Sequence, residues 1–201
     1  MLLPDPLFLV LASTAIVTPG PGVVLTLSNA LRHGYRPALA GILGIGVGST
    51  LIAALSATGL GLLLLASPRA FMALKYAGAL YLVYLAWKLW RAPPITHDNT
   101  ASAGTGLGLR FREALVMQLG NPQALAFFIA LFPQFLDGVS QPGLMFAVLV
   151  LSYGVLLVAI HSAYALGAHQ VRHHLEGEGA HWVNRIAAAC FVGFALSVVW
   201  R

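Results

Sequence analysis

Thr18-Pro19-Gly20-Pro21-Gly22 interrupts an apolar run that carries no charge from residue 6 to residue 31. About 20 apolar residues span a bilayer core, so the run reads as a membrane crossing. Two prolines cannot sit inside a regular helix without breaking it, because each lacks an N–H and displaces the carbonyl four residues earlier. Pro19 lies 13 residues after Pro6, which at the helical rise is roughly 20 Å from the outer face. The crossing is therefore expected to be broken near the bilayer centre. A second break, Gly120-Asn121-Pro122, lies inside residues 114–136, which are also uncharged. Asn121 is 10 residues from Phe111, roughly 15 Å from the inner face on the same rise.

Composition agrees with a lipid environment. Of 201 residues, 59% are hydrophobic and 8% charged, against about 25% charged in an ordinary soluble domain. Eleven basic and six acidic side chains are too few to cover a water-facing surface of this size. Disorder is excluded by the same hydrophobicity. Net charge is +5, but the basic residues are scattered at segment ends and not clustered on one face, which argues against nucleic acid as a partner. Cys190 is alone, so no disulfide framework or thiol relay forms within one chain. No Lys or Arg precedes Arg32, so the first segment lacks the basic start of a secretory signal and is expected to be retained.

Distances between charges mark the remaining crossings. Residues 37–68 are uncharged, with a surplus near Gly59, Gly61 and Pro68 expected to turn. A third segment runs from about Phe71 to Trp90, and beyond Arg91 the polar, Gly-rich stretch from Ala92-Pro93-Pro94 to Gly108 reads as a linker. Residues 114–136, 138–171 and 182–200 supply three more. The expected fold is all-α: six transmembrane helices, with the first half at 1–92, a cytoplasmic linker at 93–109 and the second half at 110–201. Eight Lys and Arg fall in the first, third and fifth connections and two, Arg69 and Arg201, on the other side, which places both termini outside the cytoplasm. Trp87, Trp90, Trp182 and Trp200 all lie at segment ends, where amphipathic rings favour the headgroup region.

Three crossings per half make the second half enter the membrane from the opposite side, so the halves are expected to be inverted repeats, the first helix of each broken at mid-membrane. The prolines leave the carbonyls of Ala15, Val17 and Gln118 without helical partners, and such backbone belongs against protein or a water-filled cavity. A half-helix N-terminus there offers free N–H groups to an anion such as a carboxylate. The expected binding residues are Thr18, Pro19, Gly20, Pro21 and Gly22 with Gly120, Asn121 and Pro122, joined by Gln118 and Lys75 as polar contributors. Kinks without a ligand are the competing reading for any one of these prolines.

The residues quoted above, together with Arg32-His33-Gly34 leading to Gly41, Gly44 and Gly48, with Lys75, Gly78 and Tyr81-Leu82, and with Asn121-Pro122-Gln123-Ala124, Phe127-Phe128 and Phe132-Pro133-Gln134-Phe135, resemble the LysE/RhtB family of amino-acid exporters over nearly the whole chain. The resemblance implies efflux of amino acids or close derivatives, such as threonine, homoserine and its lactone, leucine or lysine, from the bacterial cytoplasm, driven by the proton motive force. Gln123 stands where the family usually has Lys, and Ala114 where it often has Gly.

Lys75 is either a functional cation inside a segment or a side chain snorkelling to the outer interface. No Asp or Glu lies mid-membrane, so His161, Glu113 and Asp137 are the candidates for proton coupling, alongside the zwitterionic substrate itself. His169, His173, His174 and His181 read as a solvated loop, leaving no expected metal site and no cofactor, although a divalent metal-ion exporter stays the first rival. An intramembrane serine hydrolase built on Ser49 and His161 is the remote one, and no enzymatic activity is expected. Small-residue stripes at Gly44 and Gly48, at Ala159, Ala163 and Gly167, and at Ala189, Gly193 and Ser197 are expected to pack helices within the protomer, with a homodimer left open. The expected partners are the bilayer and a small amino-acid substrate, and the expected location is the bacterial inner membrane.

Overall fold

The structure is a computed structural model that describes residues 4–57, 67–92, 106–171 and 178–200. Among these residues it is all helical: α1 (Pro6–Val17), α2 (Pro21–His33), α3 (Tyr35–Ala57), α4 (Pro68–Trp90), α5 (Leu107–Leu119), α6 (Pro122–Leu136), α7 (Pro142–Val171) and α8 (Glu178–Trp200). Proline opens α1, α2, α4 and α6, where its fixed φ suits a first turn and its missing N–H costs nothing. The expected turn at Gly59 and Gly61 and most of the linker lie outside the described residues. α5 begins at Leu107, inside the stretch 93–109 read as linker.

Both expected breaks are present. α1 and α2 are bent by 56° across Thr18–Gly20, and α5 and α6 by 61° across Gly120–Asn121. Three helices, α3, α7 and the part of α8 from Trp182, are each long and apolar enough to cross a membrane, and each bent pair passes the same test when counted as one span, giving up to five. α4 has 23 residues, the length of α3.

The helices interlock across the chain. α3 packs on α5 and α6, while α7 packs on α1 and α2; α3 and α7 touch, and α4 lies along α8. Each unbroken middle helix thus grips the broken pair of the other half. Glycines allow the tightest of these approaches. A Cβ on Gly44 would collide with the carbonyl oxygen of Phe111, and one on Gly48 would lie 2.9 Å from Cβ of Gln118. The first small-residue stripe therefore packs within the protomer as expected. The other two do not: Ala159, Ala163, Gly167, Ala189, Gly193 and Ser197 are exposed or nearly so, and nothing lies within 4 Å of where Gly167 or Gly193 would carry a Cβ. Those stripes have turned away from the core because the opposite faces of α7 and α8 carry the larger buried side chains, Leu149, Tyr153, Leu157 and Phe191.

An aromatic cluster fastens α1, α6 and α7. Phe8 meets Phe132 and Phe135 edge-on with centroids 5.7 and 5.3 Å apart, and Phe128 contacts Phe132 at 5.0 Å and Tyr153 at 4.8 Å. The outer surface is apolar: Leu43, Val47 and Leu51 form an exposed stripe on α3, as do Leu151 and Val155 on α7. A face of that kind suits acyl chains, not water. Trp90 and Trp182 meet at one end of the α4–α8 pair, with the guanidinium of Arg185 5.4 and 5.8 Å from their ring centres.

Candidate binding site between two interrupted helices

The residues around the two breaks come together although about 100 positions separate them. A cavity of about 600 Å³ is walled by Thr18, Pro19 and Pro21 from the first break, Asn121, Gln123 and Ala126 from the second, Lys75 from α4, and Phe194, Ser197 and Val198 from α8. Behind it lies a smaller chamber of about 50 Å³, lined by Gly20, Gly22 and Val23 of α2, Gln118 of α5, Phe127 of α6, Tyr153, Leu157 and His161 of α7, and Ile45 of α3, among others. Thr18, Asn121 and Gln123 line both cavities and form the wall between them.

The two breaks differ in what their new helix starts offer. α2 begins at Pro21 after the N-cap Gly20, which has no side chain to cap the helix, and its Gly22 and Val23 line the chamber. α6 begins at Asn121, whose Oδ1 accepts from the Gln123 N–H at 3.1 Å. That is the N-cap arrangement for which Asn is favoured. One of the amides expected at the second break for a substrate carboxylate is therefore already used within the chain. The side chain of Gln123 reaches over α2, where its Oε1 would lie 2.9 Å from a Cβ on Gly20.

Two of the three carbonyls expected to lack partners have found them. Val17 accepts from the Tyr164 hydroxyl at 3.0 Å, and Gln118 accepts from the Asn121 N–H at 3.1 Å. Both are corrected by groups that a hydrocarbon-embedded backbone requires. Thr18 turns its hydroxyl back to the Thr14 carbonyl at 2.6 Å.

A polar chain runs from the second break into the core. Asn121 Nδ2 donates weakly to Gln118 Oε1 at 3.4 Å, and Gln118 Nε2 donates to Ser49 Oγ at 2.9 Å. Ser49 and Tyr153 line one small cavity beside this chain. His161 is buried, with Nδ1 2.8 Å from the Thr26 hydroxyl. Ser49 and His161 thus have different partners, and the serine–histidine pair of the enzymatic rival is not formed.

Glu113 is buried and committed. It bonds Lys88 and accepts from Arg110 Nη1 at 2.7 Å, which makes it an ion-pair centre. Asp137 follows α6 as its C-cap, is exposed, and lines neither cavity. No group of three or more His, Cys, Asp or Glu fit to hold a metal occurs among the described residues; His173 and His174, and the side chain of His181, lie outside them.

Tyr153, Ser49 in its bonding role, and Tyr164 were not among the expected site residues. A tyrosine hydroxyl inside a crossing must find a partner, so Tyr153 and Tyr164, sharing α7 with His161, carried a readable signal. Their partners did not.

The chain has relatives among known membrane proteins. Over 170 residues the chain is 31% identical to the homoserine/homoserine lactone efflux protein of Salmonella typhimurium, covering 85% of this chain and 82% of that one. Over 194 residues it is 29% identical to the leucine efflux protein of Salmonella choleraesuis, covering 94% and 91%. A membrane protein of Pseudomonas aeruginosa is 34% identical over 198 residues, covering 91% and 88%. No solved structure matches. The LysE type translocator family matches residues 13–201, and the chain, a membrane transporter by this assignment, belongs to that family.

Proposed function

We propose that this protein is a secondary exporter of amino acids or close derivatives in the bacterial inner membrane, with six crossings arranged as two inverted three-helix repeats. The observation that carries the reading is the single cavity walled by both helix breaks and Lys75. α4 supplies the sixth crossing, and the reciprocal packing of α3 on α5 and α6 and of α7 on α1 and α2 is what an inverted pair of repeats would produce.

The substrate carboxylate binds at the uncapped start of α2, where the Gly22 and Val23 amides and the positive end of the helix dipole converge. Lys75 draws the anion into the larger cavity, and Gln118 and Asn121 orient it at the dividing wall. His161, beside Gly22 in the chamber, is the group best placed to relay a proton. Transport is rocking of one half against the other about this site. In the present state the halves are tied at the far end: Lys88 and Tyr81 of α4 bond Glu113 of α5, Arg32 of α2 bonds Asn184 of α8 at 2.6 Å, and Asn184 bonds the Ala92 carbonyl. Lys75 and Lys88 are 13 residues apart on α4, about 20 Å along the axis. The large cavity and the tied end therefore lie toward opposite membrane faces, and by the charge count the tied end is cytoplasmic, with both termini outside.

The test is export itself. Cells loaded with homoserine or leucine through dipeptides are expected to release it faster when they overproduce the protein. Asn121→Leu removes the α6 cap and the polar group that Asn121 gives the wall between cavities, and Pro21→Leu removes the ring that fixes the first turn of α2. Each is expected to reduce export at least tenfold at unchanged membrane abundance. Wild-type rates in both variants would refute the site.

A further inference from the structure

The small chamber has a floor as well as an opening. Tyr153, Leu157 and His161 are spaced four apart on α7 and line one face of it, about 12 Å from first to last. His161 marks the α2 end, because its Cε1 lies 3.5 Å from where Gly22 would carry a Cβ. Tyr153 marks the other. Its ring packs against Phe127 and Phe128, with centroids at 5.5 and 4.8 Å, and those two rings contact each other at 5.2 Å; Ser49, bonded by Gln118, lines a small cavity with it. A buried ring packed against two phenylalanines that are themselves in contact cannot swing toward α6 without displacing both.

Two properties of the space in front of it limit what can enter. Its volume of about 50 Å³ admits about four water-sized groups, at roughly 10–15 Å³ each. No Asp, Glu, Lys or Arg is among the described residues that line it, so a charged side chain would lose its hydration with no countercharge to replace it. A substrate whose carboxylate sits at the start of α2, at the His161 end of this chamber, with its backbone at the wall formed by Thr18, Asn121 and Gln123, has only the Tyr153 end left for its side chain.

We propose that Tyr153 is the specificity-determining residue of the central site: it closes the side-chain end of the chamber, so that the protein carries amino acids with short, uncharged side chains and rejects aromatic and cationic ones. The inference rests on the exporter reading above and adds to it the class of substrate and the residue that sets it.

The test uses the full-length protein in proteoliposomes, with counterflow of radiolabelled homoserine, leucine, phenylalanine and lysine measured side by side. Wild-type protein is expected to carry homoserine or leucine at least tenfold faster than phenylalanine or lysine. Tyr153→Ala is expected to raise the phenylalanine-to-leucine ratio at least tenfold while lysine stays excluded. Tyr153→Phe, which keeps the ring and loses only the hydroxyl, is expected to retain the wild-type order. Unchanged ratios in Tyr153→Ala, or wild-type protein that carries lysine or phenylalanine as well as leucine, would overturn the assignment and leave the exporter reading standing. Absence of counterflow for all four would overturn both. Should Tyr153→Ala fail to fold, thermal stabilisation of the wild-type protein decides the matter: leucine or homoserine is expected to raise its melting temperature and phenylalanine is not, and equal stabilisation by phenylalanine would refute the proposal.

Discussion

Gly78→Ala is expected to be the most damaging single-methyl change in the protein. α4 crosses the second break backbone to backbone: a Cβ on Gly78 would collide with the Gly120 carbonyl oxygen and sit 3.0 Å from its carbon and 3.3 Å from its Cα. No rotamer relieves a clash between two main chains, so α4 must move away from α5 and α6. Overpacking of this kind typically costs about 1–3 kcal/mol and sometimes more. Gly44→Ala meets the same obstacle at the Phe111 carbonyl. Gly154→Ala is the control, since nothing lies within 4 Å of its added methyl and the helix gains up to about 1 kcal/mol from the exchange. Melting temperatures in detergent are expected to fall sharply for Gly78→Ala and Gly44→Ala and to hold or rise for Gly154→Ala. Any Gly78→Ala protein that does fold is expected to export poorly, because the displaced backbone carries Gly120 and Asn121. Equal melting temperatures for Gly78→Ala and Gly154→Ala would mean that α4 does not cross the break as described.

Glu113→Ala is expected to rank next. The carboxylate is 7% exposed and holds two cations, Lys88 and Arg110, which are 35% and 16% exposed. Removing one partner of a buried pair usually costs 3–5 kcal/mol through the charges left behind. The half-open position of Lys88 lets it recover some hydration, so about 3 kcal/mol is expected. The diagnostic is non-additivity: with Lys88→Met already present, Glu113→Ala is expected to cost clearly less than it does alone, as coupled residues require. Because Lys88 and Glu113 lie on either side of the linker, Glu113→Ala is also expected to make a cysteine introduced at Ser28, which lines a cavity with both of them, react faster with a membrane-impermeant thiol reagent added on the side to which that end opens. Additive stability costs together with unchanged labelling would show that the pair ties nothing across the halves.

Much of this architecture was legible in the sequence because lipid makes crude signals strong. Runs without charge located helices to within a few residues, as α7 at Pro142–Val171 against an expected 138–171 illustrates, while α4, expected as a crossing, is not among the up to five candidate spans. Proline and glycine marked both breaks because their backbone chemistry is local. Lys75 was visible as a charge out of place, and it lies on the wall of the larger cavity.

The unread part was long-range. Tyr164 reaches Val17 across 147 positions, and Thr26 meets His161 across 135; such pairs depend on which helices cross, which one sequence does not specify. The asymmetry of the breaks is a different case. Asn at one helix start and Gly at the other already distinguish a self-capped terminus from an open one, and treating the two as equivalent passed over that difference. The outward turn of Ala159, Ala163 and Gly167 was hidden for a third reason: small residues serve either face, and only the bulk of Leu149, Tyr153 and Leu157 decided which face α7 buries.

An experimental structure of the protein with homoserine or leucine bound tests the central claim most directly. The substrate carboxylate is expected within about 2.7–3.2 Å of the Gly22 and Val23 amide nitrogens, between the two breaks, with its side chain toward Tyr153. A carboxylate held elsewhere, with the α2 terminus facing protein or lipid alone, would contradict it.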